Sequence, residues 1–277
     1  MNLISEHLCF DGVQRFYSHE SRECRTEMRF SVFVPPQARE RAVPVLYYLA
    51  GLTCTEETFT IKAGAQRIAA QLGLMLVSPD TSPRKVRMPG DDVSWDFGLG
   101  AGFYVDATQA PWSQHYRMYS YVTRELPELI RSLGNVRADR QSILGHSMGG
   151  HGALICALRN RDQYRSVSAF APIAAPSHCP WGVKAFTGYL GADRAGWSDY
   201  DASQLIARTT YTDAILIDQG TGDKFLQEQL LPERFVEACR NSNTPLQLNY
   251  RAGYDHGYYF ISTFMADHLQ FHAQRLG

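Results

Sequence analysis

Ser147 stands between two runs that cannot belong to one regular element. Gln141-Ser142-Ile143-Leu144 reads as a short buried strand, and from Met148 to Arg159 the residues Ala153, Leu154, Ala157 and Leu158 fall at helical spacing. Gly145-His146-Ser147-Met148-Gly149 therefore joins a strand to a helix and fits the Gly-x-Ser-x-Gly nucleophile elbow. So sharp a turn strains the serine backbone and lifts its hydroxyl above the sheet edge, which demands nearly side-chain-free neighbours. Gly145, Gly149 and Gly150 meet that demand. An incidental serine in a glycine-rich turn accounts for the five residues alone, without the strand before and the helix after. The turn also points His146 away from the serine. It is expected to pack against surrounding strands, and the base must come from elsewhere.

The rest of the chain supplies a sheet for this elbow. Met28, Phe30, Val32 and Val34 alternate with Arg29, Ser31 and Phe33, the period of a half-buried antiparallel strand, and residues 3–35 read as edge strands ended by Pro35-Pro36. The nearly continuous apolar run from Val43 to Ala50 suits a strand covered on both faces. Ala65, Ile68, Ala69 and Leu72 mark a helix stopped by Gly73, and a strand over Leu74–Val77 follows. Val122, Leu126, Leu129, Ile130 and Leu133 mark another helix, with a kink expected at Pro127. Further strands are expected at Val167–Ile173, Ala214–Ile217 and Leu246–Tyr250, with a helix around Phe235, Ala238 and Cys239 and a last one carrying Ile261, Phe264, Met265, His268 and Leu269. Strands alternating with helices predict an α/β-hydrolase fold: a mostly parallel central sheet with helices on both faces. One domain is expected over residues 1–277, since no linker or repeat divides it. Residues 81–117 and 175–211 show no clean period but are rich in aromatics, and both are expected to be loops forming the substrate wall.

A serine hydroxyl needs an imidazole to take its proton and a carboxylate to hold that imidazole in the right tautomer. In this architecture they follow in the order serine, acid, histidine, on loops after later strands. Asp223, in Gln219-Gly220-Thr221-Gly222-Asp223, directly follows a strand on the serine's side of the sheet. Asp218 competes but lies nearer the strand, where it could be buried or salt-bridged, and Asp213 belongs to the opposite rim. His256, in Gly253-Tyr254-Asp255-His256-Gly257, lies between the last strand and the last helix. His7 and His19 lie in the edge strands, and packing or surface roles suffice for His268 and His272. Position alone does not exclude His115, His151 or His178, yet none follows the last strand. The oxyanion needs two backbone donors, expected from Met148, after the nucleophile, and Leu52, in the loop after the early strand. Cys54, two residues on, is expected to border the site as a small wall residue.

Composition narrows the partners. A formal net charge of -1 gives no footprint for nucleic acid or an anionic membrane surface, and no run approaches a membrane span. The first residues show neither a basic leader nor a secretory apolar core. Cys9, Cys24, Cys54, Cys156, Cys179 and Cys239 have no metal-ligand spacing, which suggests reduced thiols in the cytosol. No metal and no organic cofactor is called for.

Several longer blocks resemble the S-formylglutathione hydrolases, the esterase D family: Leu49-Ala50-Gly51-Leu52-Thr53-Cys54-Thr55, Trp95-Asp96-Phe97-Gly98, Gly100 to Thr108, Tyr116 to Val122, Gly145 to Ala153, Cys179-Pro180-Trp181-Gly182 and Asp255-His256. The resemblance extends over nearly the whole chain. It implies a cytoplasmic homodimeric thioesterase that splits S-formylglutathione into glutathione and formate, a step of formaldehyde detoxification, with Ser147 as nucleophile, Asp223 as acid and His256 as base. Ala174-Ala175 departs from the asparagine expected in many relatives at that spot. For so small an acyl group, Trp181 and Phe103 are candidates to exclude longer chains, with core packing the alternative for both. Lys62, Arg84, Arg87 and Lys184 are candidates to guide glutathione, with solvated surface charge the alternative for each. The rival functions are a broad carboxylesterase, an acyltransferase and a catalytically dead binding protein on the same scaffold.

Overall fold

Strand length and burial follow the hydrophobic pattern closely at the centre of the sheet. The computed structural model describes residues 1–209 and 211–277, and among these nine strands form one sheet. They are β1 (Asn2–Cys9), β2 (Gly12–Ser21), β3 (Thr26–Val34), β4 (Val43–Leu49), β5 (Met75–Pro79), β6 (Val136–His146), β7 (Val167–Phe170), β8 (Ile215–Gly220) and β9 (Leu246–Arg251). Their order is β1-β2-β3-β5-β4-β6-β7-β8-β9. Pairing is antiparallel from β1 to β5 and parallel from β5 to β9. Every residue of β5, β7 and β8 is buried. Because successive side chains point to opposite faces, that pattern requires cover on both sides.

The helices provide it. In chain order they are α1 (Glu56–Lys62), α2 (Gln66–Leu72), α3 (Met118–Ser120), α4 (Leu126–Ser132), α5 (Met148–Arg159), α6 (Pro180–Leu190), α7 (Ala202–Ala207), α8 (Pro232–Ser242) and α9 (Tyr258–Leu276). Two neighbours on β7 show the layering: Ser168 Oγ bonds His268 and His272 of α9, whereas a β-carbon on Gly150 of α5 would stand 3.4 Å from that of Ala169. Helices α5 and α9 therefore lie on opposite faces, and the architecture is that of the α/β-hydrolase fold.

Three departures from the sequence reading have local causes. The expected loop over 175–211 is largely helical, with α6 and α7 flanked by 3-10 turns; Thr210 lies outside the described residues. Pro180 occupies the first turn of α6, where its missing N–H costs nothing, and the Cys179 sulfur accepts the Gly182 N–H. Asp201 caps α7 in the same way at Gln204 and also accepts the Ser177 N–H. Before Pro127 the helix takes a π turn over Tyr121–Glu125, so the kink becomes a change of pitch. The Thr123 carbonyl, four residues before that proline, accepts the Gln163 amide instead. Strand β6 is longer than its apolar part because Arg137-Ala138-Asp139-Arg140 begins it near solvent.

Residues 81–111 contain no helix or regular strand, yet they are pinned to α6. The Phe97 ring stacks on Tyr189 at 4.6 Å, and the Tyr189 hydroxyl accepts from Gly98 N–H and donates to the Ala101 carbonyl. Trp112 and Tyr116 pack edge-on and stacked against the same tyrosine.

His151 of α5 is fully buried: its Nε2 lies 2.9 Å from the Phe103 carbonyl oxygen, and its Nδ1 has no hydrogen-bond partner among the described residues. Burial lowers its pKa from 6.5 to about 4. Below pH 6.5 the unfolded chain therefore binds a proton that the native chain refuses. This group's stabilisation is complete above about pH 6.5 and is lost on going down to about pH 4, by roughly 3 kcal/mol in all. The urea midpoint of the wild type is expected to fall across that window, and less steeply in His151→Gln; parallel profiles would contradict the assignment.

Candidate active site

The strand-to-helix elbow forms where β6 ends at His146 and α5 begins at Met148. Between them Ser147 takes φ 57° and ψ −119°, a strained conformation for a residue with a side chain. Its N–H donates to the Phe170 carbonyl of β7, and its own carbonyl accepts from His151 and Ile173. A β-carbon at Gly145 would meet the Gly149 oxygen at 2.1 Å, and one at Gly149 would meet the Leu49 oxygen at 1.9 Å. Only glycine fits either place.

The loop after β4 runs directly against this turn. At Gly51 a β-carbon would stand 3.1 Å from His146 Nδ1 and 3.3 Å from Ser147 Cβ. Of the amides that follow, Thr53 N–H donates to the Gly100 carbonyl and Cys54 N–H to Gly51. Leu52 N–H has no acceptor among the described residues, and neither has Met148 N–H, which opens α5. Two uncommitted donors thus adjoin the serine.

Opposite them, the loops after β8 and β9 dock backbone to backbone. Gly222 N–H donates to the Tyr254 carbonyl at 2.9 Å, and at Gly220 a β-carbon would fall 2.2 Å from that same oxygen. This contact brings Asp223 Oδ2 to 2.6 Å from His256 Nδ1. The carboxylate is buried, and its Oδ1 accepts the Phe225 N–H at 2.8 Å. With Nδ1–H directed at a carboxylate, the Nε2 lone pair is left to act as a base.

Two rings flank this imidazole. His146 lies 4.5 Å away between centroids and Phe225 5.1 Å. Among the described residues neither ring nitrogen of His146 has a hydrogen-bond partner, and burial, followed by the neighbouring His256, holds its pKa well below the usual histidine range. It packs as a neutral ring, not as a base. Phe225 escaped the sequence reading; its one signal was an aromatic two residues past the proposed acid.

The competitors have other partners. Asp218 accepts Arg251 Nε and Asn249 Nδ2, each at 2.7 Å. His19 bonds the Tyr121 hydroxyl, His115 the Cys24 carbonyl, His268 and His272 both bond Ser168 of β7, His272 also bonds Ser166, and His7 and His178 are exposed.

The remaining wall and guide candidates separate. Trp181 is 7% exposed and lies 4.7 Å from the Phe225 ring, with Trp95 edge-on at 5.4 Å, so an aromatic row runs from solvent to His256. Phe103 is fully buried; its ring neighbours His151 under α5 and makes no ring contact with His256 among the described residues. Cys54 is partly buried with its thiol pKa raised by burial, and its carbonyl accepts from Thr81 Oγ1 and Arg84. Arg84 pairs with Asp80, Arg87 with Asp91 and Asp92, and Lys184 with Asp96 and Ser94, which ties α6 to the long loop. Lys62 lies 5.9 Å over the Tyr258 ring. Pairing in this way gives Lys184 a bracing role that its charge alone did not suggest.

The fold, a strained serine on an elbow and an imidazole tethered to a buried carboxylate are those of a serine hydrolase. The Esterase family model matches residues 21–271. The chain is 54% identical to mouse S-formylglutathione hydrolase over 99% of its length and 98% of the mouse protein's, and 53% identical to the rat protein with the same coverage. The structure of an S-formylglutathione hydrolase from Agrobacterium tumefaciens superposes with a TM-score of 0.98 at 51% identity, covering all of both chains. FphF, a fluorophosphonate-binding serine hydrolase of Staphylococcus aureus, shares the fold with a TM-score of 0.75 at 18% identity. The chain belongs to the S-formylglutathione hydrolase family.

Proposed function

We propose that this hydrolase cleaves S-formylglutathione to glutathione and formate through a formyl-serine intermediate. The observation that carries the reading is the 2.6 Å contact between Asp223 and His256, on loops docked at the rim that bears Ser147. Ser147 Oγ attacks the thioester carbonyl while His256 Nε2 takes its proton. The oxyanion is held by the Leu52 and Met148 N–H groups. When the tetrahedral intermediate collapses, the C–S bond breaks and the proton on His256 goes to the sulfur. Water then attacks the formyl-serine, gives a proton to His256 and releases formate, and the serine recovers its hydrogen.

The aromatic row through Phe225 and Trp181 favours a one-carbon acyl group by leaving little width beside the base, and partly buried Cys54 borders the same space. Lys184 holds its outer loop to α6, whereas Phe103, buried against His151, is core packing. The chain acts as a single domain over residues 1–277, with 81–117 and 175–211 as its substrate walls. Among the described residues no helix is long and apolar enough to cross a membrane. The reading extends to a cytoplasmic homodimer. Exposed Leu3, Ile4 and Leu8 on the edge strand β1 support a protein partner there.

Two measurements test these statements. Across glutathione thioesters of increasing acyl length, kcat/KM is expected to be highest for formyl and to fall at least about tenfold by butyryl, while Ser147→Ala lowers kcat by roughly 10⁴-fold or more. A preference for long chains would remove the formyl assignment, and faster turnover of a simple aryl ester would favour a broad carboxylesterase. Light scattering is expected to give twice the 31.2 kDa chain mass; a monomer at micromolar concentration would contradict the dimer.

A further inference from the structure

One buried histidine beside the base has no part in the proton transfers. His146 is the last residue of β6, is only 6% exposed, and adjoins three parts of the site at once. It precedes Ser147 in the chain. Its Nδ1 lies 3.1 Å from where Gly51, the residue before Leu52, would carry a β-carbon. Its ring centroid is 4.5 Å from that of His256, with the two planes tilted by 48°, and 6.1 Å from that of Tyr258 in α9.

Packing alone is a poor reason for a histidine in this place. Both of its ring nitrogens are buried, and among the described residues neither has a hydrogen-bond partner. Buried polar atoms are normally matched, and leaving them bare costs stability. Leucine or phenylalanine would fill a comparable volume without that cost. The other buried histidines each have at least one nitrogen hydrogen-bonded: His19 to Tyr121, His151 to the Phe103 carbonyl, and His268 and His272 to Ser168.

Beyond burial, the groups that act on the charge of this ring all belong to His256: the second imidazole disfavours a positive His146, and the backbone of the same residue favours it. The balance keeps His146 neutral when His256 takes up a proton. Other titratable groups near the pair have partners of their own. Asp223, from the loop after β8, faces His256 Nδ1 at 2.6 Å. Lys224 of that loop lies 4.9 Å over the Phe225 ring, and Asp255 accepts the Gly257 N–H. From α9 the Tyr258 hydroxyl faces Tyr48 and the Cys54 thiol, with Lys62 of α1 over its ring.

A neutral imidazole carries a hydrogen on one nitrogen and a lone pair on the other, and its hydrogen bonds decide which is which. With none to fix it, His146 is free to keep the lone pair on the nitrogen nearer His256. We propose that His146 is a positioning residue for the base: its neutral ring spaces the His256 imidazole from the Gly51 loop and turns a lone-pair dipole toward the positive charge that this imidazole acquires from Ser147. A dipole already in place acts strongly on a charge that develops in a buried site. The inference rests on the triad proposed above, and it adds a second group besides Asp223 that stabilises the charged base.

The test replaces the ring by apolar groups of similar size, in His146→Leu and His146→Phe. Each removes two nitrogens without partners, so the thermal midpoint is expected to hold or rise, and a loss of activity is then not a loss of fold. The acidic limb of kcat/KM against pH is measured with S-formylglutathione and, separately, with p-nitrophenyl acetate, which needs the same serine and base. Without the dipole the imidazolium is less stable and gives up its proton at lower pH. The midpoint of the limb is expected to fall by about half a unit to one unit, and the plateau by about three- to tenfold, in both variants and with both substrates. A limb that stays in place, whatever the plateau does, would reduce His146 to packing and overturn the proposal. A limb moved to higher pH would also overturn it, since the wild-type ring would then carry a positive charge. If the wild type cleaved the aryl ester but not S-formylglutathione, the proposed substrate would fall, while the aryl-ester profile would still decide the role of His146.

Discussion

At the elbow the backbone packs against backbone so closely that the Leu49 oxygen would lie 1.9 Å from any β-carbon at position 149. That approach lets α5 begin immediately above β4 and β6 and forces the turn at Ser147 into positive φ. Strain of this kind costs on the order of 1–3 kcal/mol and persists only where the surroundings over-determine it. Here the Ser147 N–H is held by β7 and its carbonyl by the amides of His151 in α5 and Ile173 after β7. One constraint then produces several consequences: the serine is set at the rim, the Met148 amide is left without an acceptor among the described residues, and Gly51 is pressed against the serine so that the Leu52 amide stands beside it.

The imidazole of His256 is held by a different device. Gly220 and Gly222 let the loops after β8 and β9 touch through their backbones, and Asp223 meets His256 as a result. Behind this contact α9 is fastened to the sheet by a buried polar chain. Ser142 and Ser166 bond each other, Ser166 and Ser168 bracket the His272 ring, and Ser168 also bonds His268. Both rings are thereby tied to the strand, although His268 Nε2 has no hydrogen-bond partner among the described residues and lies 3.9 Å from Asp218. Since α9 begins two residues after His256, this chain of contacts sets where the His256 imidazole sits, and the rings of His146 and Phe225 flank it.

The central strands were legible because parallel strands buried on both faces leave continuous apolar runs, as in Val43–Ala50. The elbow was legible because glycine is the only residue the turn admits. The expected order serine, acid, histidine singled out Asp223 and His256, which the fold brings to 2.6 Å of one another. What stayed hidden depended on contacts distant in sequence. Composition could not reveal that Cys179 and Pro180 open a helix, since a sulfur cap resembles no common cap residue. The burial of His268 and His272 depends on serines about a hundred residues away. Phe225 is visible only once the His256 ring is in place, and Lys184 could be read as a brace only with Asp96 opposite it.

The most direct test of this arrangement is to catch the acyl group on the residue said to carry it. Acid quench during turnover of S-formylglutathione, followed by mass spectrometry of the proteolysed chain, should add the mass of one formyl group to the peptide containing Ser147. The adduct should accumulate when His256 is replaced by glutamine under conditions that still allow slow acylation. A formyl adduct on Cys54 or on no residue, with turnover intact, would contradict the account.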